Sequence, residues 1–428
     1  MRNGELNYFE ATAQPFAQGP VLSGTHRCDV CVVGAGYTGL STALHLAEQG
    51  LDVVVLEASH VGAGASGRNS GFVLPGYAAD VNELIELVGR EHAARLWRLS
   101  VEAVDLVKSL IQHHSISCDL KSGALAAAAS PADAEALAKQ AIVMRAFGYE
   151  QASFLSRAEL SGLIASPNYF GGLLDLGAAH LHPFDYARGL ARAALAKGVA
   201  IYERSRVVHI GRGDRPQAIT AEGAVSANHI VLAANALLGP LAPDLARRIV
   251  PVTALIGATE PLGSEIAKRL LPRDHAVFDT QPALAYYRLT RDHRLLFGAA
   301  TCLFLPSPSH AGPWLARRIA RVFPQLGQPR MDFVWHGLVD LTLNRLPDIG
   351  QRSALIWYAQ GFNGHGVALS TLAGRAIARA ITGRAEDFRL LASLPYRPWP
   401  GGSRFARIAL PFVRSCLQLR YALGRLFA

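Results

Sequence analysis

The sequence predicts an α/β chain. Its Rossmann-like unit is built from separated stretches, with an α+β part carried on an antiparallel sheet between them. Three observations predict this. Near the start, an apolar strand, a glycine-rich turn and a helix lead to a second apolar strand that ends in an acid. The same order of strand, glycine turn and helix returns over Ala354–Gly383. In between, residues 249–333 change to short strands at close spacing, which marks antiparallel pairing rather than βαβ crossovers.

The first strand is Val30-Cys31-Val32-Val33, and the turn is Gly34-Ala35-Gly36-Tyr37-Thr38-Gly39. Leu40, Ala43, Leu44 and Ala47 mark the helix, which stops at Gly50, and Val53-Val54-Val55-Leu56 delivers Glu57 and Ala58. Each part suits a dinucleotide. Gly34 permits a tight turn, Gly36 lets the backbone approach a pyrophosphate, and Gly39 lets helix and strand pack closely. Tyr37 and Thr38 lie in the first helical turn, whose free N–H groups and partial positive charge attract phosphate. Glu57 can accept from ribose hydroxyls and would repel a 2′-phosphate.

A loop dense in small residues follows: Gly62, Gly64, Ala65, Ser66, Gly67, Arg68, Asn69, Ser70, Gly71. Residues 80–150 read as helical, from leucines near helical spacing and alanine-rich stretches such as Asp133–Ala141. From Leu173 to Ala234 strand and helix alternate again, with Val207 and Ile230–Ala233 on strands. Thr253–Thr259, Ala285–Leu289 and Leu295–Ala299 read as the antiparallel strands. A last strand, Ala354–Ala359, leads into a turn carrying Gly361, Gly364, His365 and Gly366, and then a helix that begins with Val367. That turn is a second helix N-terminus open to negative charge.

At 428 residues and half hydrophobic, the chain is long enough for two domains with a large core. No stretch reads as a membrane span, and Met1–Leu6 has no apolar signal region, which together with five cysteines points to a reducing, cytoplasmic setting. Cys28 and Cys31 share the first strand without further ligands, and His180 and His182 lack a third, so no metal is expected. Arg384–Ala428 carries eight arginines against two acids, an excess of +6 out of the chain's +9. Its end, Ser403–Ala428, interleaves arginine with apolar residues: an ordinary docked helix, or peripheral contact with the inner membrane surface. No basic–aromatic module points to nucleic acid.

Taken together the segments resemble the D-amino-acid-oxidase-type FAD-dependent oxidoreductases. The resemblance rests on Gly34–Gly39 with Glu57, on the loop Gly62–Gly71 and on Trp357–Arg375. With Asn7–Ala13 and Leu346–Gly350, it leans to the γ-glutamylputrescine oxidase branch. It implies an FAD-binding domain over 26–90, 150–245 and 334–400. A substrate (cap) domain covers 91–149 and 246–333, and a basic amphipathic helical tail covers 401–428. FAD would be held by Gly34, Gly36, Tyr37, Thr38, Gly39, Glu57, Ala58, Ser66, Gly67, Arg68, Asn69, Ser70, Gly71, Val207, Ala233, Ala234, Gly361, Gly364, His365, Gly366 and Val367. Some relatives bind flavin through a cysteine. The matching stretch Trp335–Thr342 has none, so non-covalent FAD is expected.

The implied reaction is oxidation of an amine C–N bond, with hydride passing to flavin N5 and the imine then hydrolysed. The flavin does the hard step, and no catalytic triad stands out. Tyr287 is the first candidate for substrate contact, with Arg288 beside it, and His365 would add charge or a hydrogen bond. Alternation puts Tyr287 on the face opposite Tyr286 and Arg288. No arginine sits in a diagnostic context for a substrate carboxylate. No lysine stands on Arg294–Gly298, where sarcosine-type relatives speed oxygen reduction. The electron acceptor is therefore O2 or a quinone or other carrier. The alternative substrate class is a D-amino acid or glycine, oxidised by a dehydrogenase that passes electrons to quinone.

Overall fold

The computed structural model describes residues 7–211, 214–281, 283–300, 308–403, 405–406 and 408–409. The expected tail helix over 401–428 lies for the most part outside these residues.

The chain forms two sheets. The first runs in the order Asp348–Ser353, Ile356–Gln360, Gly223–Leu232, Gly24–Val33, Val53–Leu56, Ala200–Tyr202. The pairings along this path are parallel except at the Asp348–Ser353 edge, and an antiparallel hairpin of His209–Gly211 and Gln217–Ile219 joins Gly223–Leu232. Val53–Leu56 is buried at all four positions, as a strand covered on both faces must be: Val53 and Val55 pack on the helices, Val54 and Leu56 on Leu22, Val207, Ile210 and Ala218. Its β-branched valines suit that setting. Tyr37–Ala47 and Gly366–Ile381 pack on one face, together with Arg90–His113 and Pro183–Ala196.

Two helices of this layer touch along their backbones. A Cβ on Gly374 would lie 2.5 Å from Thr38 O. Ser41 Oγ donates to Thr371 O at 2.7 Å and Thr42 Oγ1 to Gly374 O at 3.2 Å. This close approach brings the N-termini at Tyr37 and Gly366 to the same end of the sheet, outside the carboxyl ends of its strands, where ligands of open α/β sheets sit.

The second sheet is mostly antiparallel. It runs Met331–Leu341, Val250–Thr259, Leu295–Ala300, Ala285–Leu289, Ala276–Asp279, Lys121–Ala127, Gly171–His180, Phe72–Val73, with Ala152–Ser156 also on Gly171–His180. Its membership departs from the expected reading in five places. Lys121–Ala127 is a strand and not part of a helical region. Phe72–Val73, Ala152–Ser156, Gly171–His180 and Met331–Leu341 belong to this sheet although they were expected in the FAD-binding domain. Met331–Leu341 is its edge strand, paired with Val250–Thr259 over ten positions. Conversely Arg90–His113, expected in the cap, buries Leu96, Leu99, Ala103 and Val107 in the core of the first layer.

Residues 7–22 run across both parts. Asn7 Nδ2 donates to Gly67 O, Tyr8 Oη to Asp292 Oδ1 and Gly19 N to Glu203 Oε2.

Candidate active site

A single cavity of about 1480 Å³ runs from the first glycine turn to the face of the second sheet. Pockets for one drug-sized ligand hold ~300–1,000 Å³. This one has room for two ligands, one of them long.

The first turn is set by Gly34, whose φ of +110° excludes other residues at low cost, and whose N–H donates to Leu56 O at 2.9 Å. The helix that follows starts at Tyr37 on Gly36, which has no side chain to cap it, and only Ser66 Oγ from the neighbouring loop accepts from its first N–H, at 3.1 Å. Gly366–Ile381 starts on His365, also with no side-chain cap. Several other helices are capped by side chains, Asp80, Ser130, Ser156 and His182 accepting from first-turn N–H groups, while Arg90–His113, Ser264–Leu270 and Glu386–Ala392 start without one. Both N-termini open on the cavity. They leave backbone donors and positive dipole ends there, so an elongated ligand with negative charge at two places would fit.

Of the residues expected to hold FAD, Gly34, Gly36, Tyr37, Thr38, Glu57, Ala58, Ser66, Arg68, Asn69, Ser70, Val207, Ala233, Ala234, Gly364, His365, Gly366 and Val367 line this cavity. Gly39, Gly67, Gly71 and Gly361 do not. Each is a packing position: an added Cβ would lie 1.9 Å from Gly34 O, 2.3 Å from the Phe184 ring, 1.9 Å from Leu181 O and 2.6 Å from Thr342 Cγ2 respectively.

Glu57 accepts from Ala35 N at 2.8 Å and Ser59 N at 2.9 Å. Burial pushes its carboxyl pKa up, against the pull of those two donors. Ser66 Oγ accepts from Tyr37 N at 3.1 Å, tying the small-residue loop to the first turn. Asn69 braces that loop, accepting from Gly71 N and donating to the carbonyls of Ala65 and Ser66. Arg68 donates to Ala63 O and pairs with Glu10 at 3.4 Å.

At the opposite turn, Asp340 is buried. It accepts from Asn235 Nδ2 at 2.8 Å, from Phe362 N at 3.1 Å and from Gly361 N. Burial raises its pKa to about 6. Asp340 and Asn235 fix the Gly361–Gly366 turn, and neither stood out in the sequence. His365 lines the cavity, with Nε2 at 3.0 Å from Pro75 O. A carbonyl can only accept, so that nitrogen carries the proton. Burial lowers the ring's pKa, so it is neutral near pH 7 and adds no charge.

The two other catalytic candidates are not on the cavity wall. Tyr287 points into the core behind the sheet, where it stacks on Phe297 and donates to Tyr169 Oη at 3.0 Å. Tyr286, one position earlier, is the residue that faces the cavity. Arg288 shares that face but is fully buried behind the small-residue loop. Its Nε, Nη1 and Nη2 donate to the carbonyls of Ser70, Leu289 and Leu181. It pins that loop to the sheet and has no opening toward a substrate carboxylate. His180 and His182 are likewise spent within the fold, on Asp274 O and on Asp185 with Thr12. Among the described residues no helix is long and apolar enough to cross a membrane.

Comparison with known proteins agrees with this geometry. A family model described as DAO, FAD dependent oxidoreductase, matches residues 29–380. Gamma-glutamylputrescine oxidoreductase of Escherichia coli (strain K12) is 38% identical over 92% of this chain and 93% of its own. Glycine oxidase of Bacillus licheniformis is 25% identical over 83% and 94%. In structure, glycine oxidase from Geobacillus kaustophilus superposes with a TM-score of 0.72 over 87% of this chain and 100% of its own, at 22% identity. L-proline dehydrogenase from P. horikoshii does so with 0.70 over 90% and 99%, at 18% identity. The chain belongs to the DAO family of FAD-dependent oxidoreductases.

Proposed function

We propose that this enzyme oxidises the C–N bond of an amine related to γ-glutamylputrescine. The supporting observation is the continuity of one cavity, from the nucleotide turn past the bare helix end at Gly366 to the wall carrying Tyr286. Bound FAD would supply the two-electron oxidation as acceptor of the hydride from the carbon beside the amine nitrogen, and water would hydrolyse the imine left on the substrate to a carbonyl compound and a released amine.

The protein's share is to bind, orient and keep the site dry. The N–H of Thr38, and that of Tyr37 in exchange for its bond to Ser66 Oγ, would hold the pyrophosphate. The N–H groups of Gly366 and Val367, with the dipole of their helix, would favour negative charge on a flavin ring held there. Tyr286, Phe278 and Ala126 supply the wall opposite, which excludes water from the reacting carbon. The burial of Arg288 favours an amine over an α-amino acid, because a carboxylate beside the reacting carbon would lack that partner. Electrons pass to O2 or to a quinone or other carrier. The strand Leu295–Ala300 bears no lysine, and the arginine-rich C-terminal sequence suits a carrier at an acidic membrane surface.

Anaerobic titration of the yellow protein tests the substrate class. Amines resembling γ-glutamylputrescine bleach the flavin absorbance, and D-amino acids and glycine leave it unchanged. Bleaching by D-amino acids or glycine alone would overturn the assignment. Admitting air or a quinone analogue to the bleached protein then shows which acceptor restores the colour.

A further inference from the structure

Beyond Tyr286 the cavity continues into a lobe remote from the nucleotide turn, walled by Trp97, Met144, Phe278 and the small Ala124 and Ala126. Apolar walls alone would suit an alkyl chain. Two polar groups break that pattern. Asp175 reaches the lobe from Gly171–His180 while only 9% exposed. Its Oδ1 is saturated, accepting from Tyr149 Oη at 2.6 Å, Gly177 N at 2.9 Å and Ala178 N at 3.1 Å. Its Oδ2 receives no donor from the described residues. The nearest cation, Lys108, is committed to Gly177 O. Burial raises the Asp175 pKa, the mark of a carboxylate whose charge is only partly compensated. The second group is the Trp97 indole N–H, which is buried and has no acceptor among the described residues. That indole N–H is a donor and wants an acceptor, such as an ordered water or a ligand oxygen, so the free oxygen of Asp175 is the group that points to a cation.

Asp279, the other carboxylate nearby, differs. Ala285 N, Gln281 N and Gln281 Nε2 occupy both its oxygens. Arg345, on the same wall, is engaged by Glu83 and Ala78 O. Asp80, which also lines the cavity, accepts on Oδ1 alone but is exposed to solvent; among the described residues of the lobe, Asp175 is the buried acid with an oxygen to spare.

We infer that Asp175 binds a second ammonium group of the substrate, remote from the carbon that is oxidised, so that the enzyme selects doubly cationic amines. This deepens the amine oxidoreductase reading and rests on it. The amine to be oxidised enters at the Tyr286 end, and the distal ammonium replaces the missing donor at Oδ2. A hydrogen bond between charged partners in a dry site discriminates by about tenfold to a hundredfold.

The test compares α,ω-alkyldiamines of increasing length with alkylamines that carry a methyl in place of the second amino group. Wild-type protein and Asp175→Asn are measured side by side. Asparagine keeps an oxygen for Tyr149, Gly177 and Ala178, so flavin content and melting temperature stay the same. Wild type prefers one diamine length over its monoamine by about tenfold or more, in KM rather than kcat. In D175N the monoamine is unaffected and the preference disappears. Wild type without a preference, D175N that retains it, or equal losses for both amines would each overturn the inference. Dissociation constants from the flavin difference spectrum give the same ratio without turnover. A protein that binds the diamine selectively but is bleached by no amine would sink the oxidase reading and leave Asp175 standing.

Discussion

Gly36→Val yields a protein that folds but is colourless after purification. A Cβ at this position would lie 2.8 Å from Ser66 Oγ, the atom that accepts from Tyr37 N and ties the small-residue loop to the turn. The valine methyls go further, into the space where a pyrophosphate must come within hydrogen-bond distance of the Tyr37 and Thr38 N–H groups. Losing two charge-assisted bonds of about 1.5–3 kcal/mol each weakens FAD binding by a hundredfold or more. The fold survives because Gly36 lies outside the contacts that hold strand to helix. Those run through Gly39 against Gly34 O and Gly374 against Thr38 O. Flavin content by absorbance, with circular dichroism as the folding control, checks the prediction. A fully yellow variant would mean that the pyrophosphate lies elsewhere.

Gly298→Val leaves the flavin in place and lowers kcat/KM by about a hundredfold, the cost of displacing a positioning group by an ångström or so. Gly298 pairs with Tyr286 across neighbouring strands, and a Cβ there would lie 2.0 Å from the Tyr286 ring. The ring now lies over the glycine, edge to face with Phe72 at 6.3 Å. Phe297 and Ala299 are fully buried on the other side, so the strand cannot retreat and the ring must leave its place. None of the residues around the pyrophosphate turn takes part. Tyr286→Phe separates shape from hydrogen bonding. Near-normal kcat/KM in Y286F with loss in G298V assigns the effect to the ring's position. Unchanged kinetics in G298V would remove Tyr286 from the substrate wall.

What could be read from the sequence follows from where the information is local. The Gly34–Gly39 turn, the Val53–Leu56 strand and the Gly361–Gly366 turn announce themselves within a dozen residues, because turn geometry and strand burial impose local residue choices. Their convergence on one cavity depends on Gly374 meeting Thr38, a contact that no single segment encodes.

Lys121–Ala127 misled in the other direction. Its alanines favour helix by intrinsic propensity, yet Ala124 and Ala126 stand on a sheet face where larger side chains would fill the cavity. Alternation separated Tyr286 from Tyr287 but did not say which face was the inner one. Only the core of Phe297, Phe323 and Tyr169 decides that. Asp340 and Asn235 were invisible for a related reason. They act on a turn over a hundred residues from Asn235, through a carboxylate whose neighbours in sequence are unremarkable strand residues.

The central claim is that the turn at Gly34, the loop at Ser66 and the turn at Gly366 hold one FAD between them. A crystal structure of the purified yellow protein tests it most directly. The pyrophosphate should lie about 3 Å from the N–H groups of Tyr37 and Thr38. The isoalloxazine edge should meet the N–H groups of Gly366 and Val367, with Tyr286 across the substrate space. An FAD whose ring points away from Gly366, or whose phosphates sit off the Tyr37 helix end, would contradict the account.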